Sequence, residues 1–173
     1  MKSLNKNFFY IILFLIITLE LFSCKKLENK FISFTDDEEI TTITSDNETE
    51  FLVSIEKLNR NGGTIYIDTP IITINERFKI SISGQLPGGI IGKRQPNGEY
   101  PRINFAKKKY KELSFGFIIS GSNKFIEYII IENSPNNGIS LTGDNNILDH
   151  VISRYNYGSG FIIKGNFNSL NYC

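Results

Sequence analysis

Glu127 and Asp149 stand 22 residues apart, as do Tyr128 and His150, and Glu132 and Arg154. If the chain returns to the same place every 22 residues, each pair stacks on neighbouring strands ~5 Å apart. Two carboxylates at that spacing repel unless water solvates them or a cation bridges them. Glu127 and Asp149 are therefore candidate calcium ligands, and two surface carboxylates in water are the alternative. Glu132 and Arg154 carry opposite charges and read as a surface cross-strand pair of small value. His150 is the only histidine. Lying in one column with Tyr128 and Tyr172, it reads as a ring in an aromatic stack rather than as a general base. Lys164 points outward if Phe161 and Ile163 point inward, so it either touches an anionic ligand or is simply solvated. No Ser/His/Asp set, phosphate loop or metal-spaced cluster is present. No catalytic residue is assigned.

The 22-residue ruler comes from an internal repeat. Gly116-Phe117-Ile118-Ile119-Ser120-Gly121 recurs as Gly138-Ile139-Ser140-Leu141-Thr142-Gly143 and again as Gly160-Phe161-Ile162-Ile163-Lys164-Gly165. Ile126, Leu148 and Leu170 keep the same step, as do Ile129, Val151 and Cys173. Phe117 and Ile119, Ile139 and Leu141, and Phe161 and Ile163 are apolar and two apart. They share one strand face and are expected to point into a common core. Each unit then forms one turn of a coil whose turns stack ~4.8 Å apart, like residue on like. Glycines flank each strand and permit tight corners. A leucine ladder is lacking, which excludes leucine-rich repeats, and propeller blades would be about twice as long.

Composition agrees with strands. The chain of 173 residues has 29 Ile and 19 Asn but a single Ala, Ala106. Ile favours strands and Ala favours helices, so a mainly helical protein is excluded. With 19 Lys+Arg against 18 Asp+Glu the charge is +1, without the basic excess of a nucleic-acid binder. One helix is expected over residues 47–61. Ser45 and Glu48 form a capping box, Phe51, Leu52, Ile55 and Leu58 fall at helical spacing, and Asn61-Gly62-Gly63 ends the segment. Thr64–Asp68, Ile71–Ile74 and Phe78–Ser83 then read as short strands too closely spaced for intervening helices. Upstream of residue 116 the register is looser. Ile80 and Ile82 reappear as Ile103 and Phe105, with residues 84–100 between them as a polar Gly/Pro-rich excursion. The helix is expected to cover the open end of the core.

The first 46 residues read as address and tether. Lys2 and Lys6 precede the apolar run Phe8 to Leu19, which is too short to span a bilayer and suits a secretory signal. Leu21-Phe22-Ser23-Cys24 resembles the lipobox of bacterial lipoproteins. That resemblance implies a signal peptide over 1–23, a lipid on Cys24 and anchoring to the bacterial cell envelope. An ordinary cleaved signal, with Cys24 incidental, is the alternative. Residues 24–46 read as a polar tether, since four adjacent carboxylates at positions 36–39 do not converge on one ion. Cys24 and Cys173 are the only cysteines, so neither a disulfide framework nor a structural zinc site is available.

From Gly62 onward the sequence resembles pectate-lyase-like right-handed parallel β-helix proteins, most closely polysaccharide lyase family nine. The resemblance rests on four segments: Gly63-Thr64-Ile65-Tyr66-Ile67; Pro101-Arg102-Ile103-Asn104-Phe105; Asn137 to Gly143 with Asn145-Asn146-Ile147; and Asn156 with Gly160 to Ile163, closing at Asn171-Tyr172-Cys173. It implies an all-β parallel β-helix over 62–173 behind an N-terminal capping helix. It also implies calcium-dependent β-elimination of acidic polysaccharide such as pectate, with a lysine as base. In that family the calcium aspartates and the base follow the segment that here ends at Cys173. The expectation is accordingly an incomplete β-helix, inactive as it stands, with no catalytic or calcium residue carried over. The competing expectation is a non-catalytic β-helix adhesin or glycan-binding module on the envelope.

Overall fold

The computed structural model describes residues 39–75, 79–106 and 116–173. The signal segment 1–23, Cys24 and the tether as far as residue 38 lie outside the described residues. Strands are the main element of what is described, with one helix beside them, and every pairing among the strands is parallel.

The folded part starts earlier than expected. Ile40–Ile43 is a strand (β1) rather than the end of a tether, and it pairs with Gly63–Ile67 (β2). Burial of Ile43 explains why these residues are held: it is fully enclosed in the core. The helix Glu48–Asn61 (α1) follows. Its cap is Asn47, not Ser45: the Glu50 amide donates to Asn47 Oδ1 at 3.0 Å. Ser45 instead donates its hydroxyl to the Glu50 carboxylate. Asp46 and Glu48 are drawn away to the next strands, accepting from the Thr73 and Asn75 amides at 2.6 and 2.9 Å. The opposite end of α1 does the same. Asn59 accepts from the Ser83 amide and donates to the Ser81 carbonyl. Phe51, Ile55 and Leu58 face the core, and α1 lies against β1 to β4.

Ile71–Ile74 (β3), Ile80–Ile82 (β4), Gly88–Gly92 (β5) and Arg102–Phe105 (β6) come next. Here two expectations are corrected. Ile80 and Ile82 do not stack on Ile103 and Phe105. They pair with Phe117 and Ile119, while Ile103 and Phe105 pair with Ile72 and Ile74. The 84–100 excursion also contains a strand of its own, β5. That strand is possible because glycine stands where it passes closest to its neighbours. A Cβ on Gly89 would run into the Phe125 carbonyl.

From residue 116 the 22-residue register holds without slip. Phe117–Ser120 (β7), Ile139–Thr142 (β9) and Phe161–Lys164 (β11) pair Phe117 with Ile139 and Ile139 with Phe161. Lys124–Glu132 (β8), Ile147–Arg154 (β10) and Ser169–Asn171 (β12) pair Ile126 with Leu148 and Leu148 with Leu170. The chain alternates between a four-stranded sheet (β4, β7, β9, β11) and an eight-stranded sheet holding the rest. Phe117, Ile119, Ile139 and Leu141 are buried in one continuous core, and Phe161 and Ile163 pack against it half-exposed.

Corners are made by residues with left-handed backbone, and these too recur every 22 residues. Asn123, Asn145 and Phe167 form one set, with φ of 58, 56 and 56°; Tyr128, His150 and Tyr172 form another, with φ of 56, 52 and 50°. Asn adopts that conformation readily, whereas for large side chains it is uncommon. The second set resets the alternation within β8 and β10, so Ile126 and Ile129 both turn inward. The left-handed residue also bends β8, whose first half pairs with β5 and whose second half pairs with β6. Among the described residues no helix is long and apolar enough to cross a membrane.

Candidate functional site

The side chains able to do chemistry lie on the outer face of the eight-stranded sheet, where β6, β8 and β10 run side by side. The parallel register sets their spacing. It places Glu127 beside Asp149 and Asp149 beside Asn171, as the repeat implied. Burial pushes the Glu127 carboxyl above the usual carboxylate range, and the negative charge of Asp149 pushes it further. The same charge, after burial, raises the Tyr128 hydroxyl, which is hydrogen-bonded to Asp149.

Calcium takes six to eight oxygen ligands. Among the described residues there is no group of three or more His, Cys, Asp or Glu placed to hold a metal. Glu127 and Asp149 are therefore too few on their own to fit calcium.

A charge pair of this kind has a pH signature. Because the folded pKa of Glu127 lies above its ordinary value of 4.5, the native state keeps the proton longer than the unfolded chain does. Between the two values the fold binds more protons, so stability falls as pH rises through that window. The loss is complete above it and absent well below 4.5. Glu127→Gln is accordingly expected to stabilise the protein by ~0.2–1 kcal/mol near neutrality and to flatten this acid-side slope. Denaturant unfolding of both forms across the acid range measures it. An unchanged or steeper slope would mean that the pair is relaxed by solvent.

The aromatic column forms as expected and gains a member. Tyr128 stacks on His150 with centroids 5.0 Å apart, and His150 on Tyr172 at 4.5 Å. Tyr100 meets the edges of Tyr128 and His150 at 5.6 and 6.3 Å, with the Arg94 guanidinium 5.9 Å from its own ring centre. Within the column His150 Nδ1 is buried without a hydrogen-bond partner, although Asp149 Oδ1 lies 3.1 Å away. Offset stacks of this kind are favourable in themselves. The column is half-buried at Tyr128 and His150 and opens to solvent at Tyr172.

Glu132 and Arg154 depart from the sequence reading. Glu132 is not a surface carboxylate, because it is 7% exposed. Arg154 closes on it with Nε and Nη2 both 2.9 Å from Oε2. A second guanidinium, Arg102 of β6, stands with Nη1 4.0 Å from Oε1. Glu132 is clamped from two sides, and charge-assisted contacts in a partly buried place are far stronger than exposed ones. In the sequence Arg102 stands out only within the segment Pro101-Arg102-Ile103-Asn104-Phe105. Its place beside Glu132 comes from the β6–β8 register, which lies outside the 22-residue rule.

Lys124 was also missed. It is 1% exposed, its ammonium donates to the Leu86 carbonyl, and burial lowers its pKa. The position could have been found from the repeat, since Lys124, Asn146 and Asn168 share one column. Lysine replaces asparagine in the first member of an otherwise amide ladder. Lys164 of β11 is exposed, as its outward position implied, and pairs with Thr142. Cys24 lies outside the described residues, and Cys173 is a free, exposed thiol. Comparison with known protein families, curated proteins and solved structures finds no match.

Proposed function

We propose that this chain is a right-handed parallel β-helix of the pectate-lyase-like kind, held on the bacterial cell envelope through a lipid on Cys24, whose sheet face engages an acidic polysaccharide such as pectate. One observation carries the reading. The unbroken 22-residue register repeats outward side chains in straight columns across β8, β10 and β12. The column of Tyr128, His150 and Tyr172 rings, with the Arg102 and Arg154 guanidinium groups on the same face, suits an extended sugar polymer, which offers hydroxyls and a carboxylate at regular intervals. Calcium-dependent β-elimination is the activity that the family resemblance implies. Because the described residues supply two adjacent carboxylates and no larger cluster, the reading rests on binding.

The experiment is retention of the purified chain on immobilised polygalacturonate against its carboxyl-reduced, neutral counterpart, with calcium and with chelator. Preferential retention on the acidic polymer is expected. Equal retention on both, or on neither, would overturn the reading. Unsaturated product that disappears with chelator would show that the chain cleaves as well as binds.

Anchoring is tested separately. Cys24→Ser should abolish labelling by a lipid precursor and move the protein from the membrane fraction to the soluble one. Unchanged membrane association of the Ser form would overturn the lipid anchor.

A further inference from the structure

The geometry points to a carboxylate-binding site on the outer face of β6, β8 and β10, formed by Arg102 and Arg154 around Glu132 and walled by Tyr155; the inference deepens the polysaccharide reading above and rests on it. Each component comes from a different strand or corner. Arg102 pairs in register with Ile130, while Asn104, Glu132 and Arg154 form one row across three neighbouring strands. Two positive groups surround one negative group, so the site keeps a net positive charge.

What distinguishes this place from an ordinary ion pair is how unequally the two arginines are engaged. Arg154 is fixed: two of its nitrogens share one oxygen of Glu132, and its guanidinium lies 5.3 Å from the centre of the Tyr155 ring. Arg102 is not. At 4.0 Å from Oε1 it feels the charge of Glu132 without a hydrogen bond to it. Its side chain is 35% exposed and that of Arg154 37%, so both guanidinium groups reach water while the carboxylate between them does not. A planar guanidinium fork that is held in place but not saturated is well suited to a second, external carboxylate.

Tyr155 adds an apolar wall. It is 74% exposed and has a left-handed backbone with φ of 57°. The same left-handed corner is held by Asn133 one turn earlier, so the backbone there fixes where the ring stands. The neighbouring corner residue Asn133 is already tied to Asn104, its Nδ2 donating to Oδ1 at 2.8 Å, which keeps the floor of the site rigid. One fixed and one unsaturated guanidinium, an exposed ring and a net positive charge together fit one sugar acid: the carboxylate on Arg102 and Arg154, the ring face beside Tyr155.

The test uses the full chain, polygalacturonate as ligand and the carboxyl-reduced polymer as control, with affinity measured at low and moderate salt. Arg102→Gln should weaken polygalacturonate binding about tenfold, the size of one charge-assisted hydrogen bond, and leave binding of the neutral polymer unchanged. Glu132→Gln should tighten binding severalfold, because it removes the internal carboxylate that competes for the same donors. A purely structural clamp would give the opposite sign, since losing Glu132 would loosen the site. Melting of each variant is followed in parallel, and Glu132→Gln must remain folded for its tightening to count. If the wild type prefers polygalacturonate but neither variant changes its affinity, the site is elsewhere and the polysaccharide reading stands. If the wild type shows no preference, both fall.

Discussion

Leu141→Ala is expected to destabilise the protein by ~2–5 kcal/mol, measured by equilibrium denaturation. Leu141 is 1% exposed and stands in the inward column between Ile119 and Ile163. Two features push the cost toward the upper part of that range. The strands above and below are fixed by backbone pairing at constant spacing, so neighbours cannot move along the column to fill the hole. The corner beyond β9 is equally unyielding. Gly143 has φ of 136°, and a Cβ there would run into the backbone of Gly121. Ile163→Ala is the internal control: the same column, but half-exposed, so its loss should be clearly smaller. Equal losses at the two positions would mean that the column is not the continuous core described.

The order of these effects follows what could and could not be read from the chain. Periodicity of two, repeated at 22, was enough to place Phe117, Ile119, Ile139 and Leu141 in one core, because burial on a strand depends on little else. The stack of Tyr128, His150 and Tyr172 followed from the same ruler. Upstream, the ruler fails for a physical reason. Segments of different length separate Ile65 from Ile90, Ile72 from Ile103 and Ile80 from Phe117, and parallel pairing fixes where strands meet but not how much chain lies between them. That is why β5 was hidden in a glycine-rich stretch and why Arg102 was not placed beside Glu132. The helix cap was misplaced by two residues for another reason. Ser45, Asp46 and Asn47 can all cap, and tertiary bonds from Asp46 and Glu48 to the Thr73 and Asn75 amides decide among them. The acidic pair was legible as a pair, but its chemistry was not, because the sequence shows spacing and not what else surrounds two carboxylates.

Asn146→Leu should cost about as much as the core truncation, ~2–5 kcal/mol, although it removes no apolar surface. Asn146 is 1% exposed and serves four bonds at once. Its Oδ1 accepts from the Lys124 amide at 2.8 Å, and its Nδ2 donates to the Gly121 carbonyl at 3.0 Å and to Asn168 Oδ1 at 3.1 Å. Its own amide donates to the same Asn168 oxygen. Leucine has nearly the right volume, so packing is kept while the Lys124 amide and the Gly121 carbonyl lose their partners inside the protein. Each buried group left unpaired costs ~1–3 kcal/mol, and two are stranded here. The corner at Asn145, whose φ is 56°, depends on the same amide to hold the strands on either side of it. Lys124 adds to the cost, since its ammonium is kept in place by the Leu86 carbonyl only while the ladder holds the start of β8. Asn168→Leu is the matched comparison: the same ladder, half-exposed, with its Nδ2 on the Gly143 carbonyl at 2.9 Å. Water can replace that bond, but the oxygen that Asn168 offers to the Asn146 amide and side chain is lost as well, so the cost should be smaller than at Asn146 without vanishing. If Asn146→Leu costs less than ~1 kcal/mol, the ladder is not what holds successive 22-residue units in register, and side-chain packing alone must set their spacing.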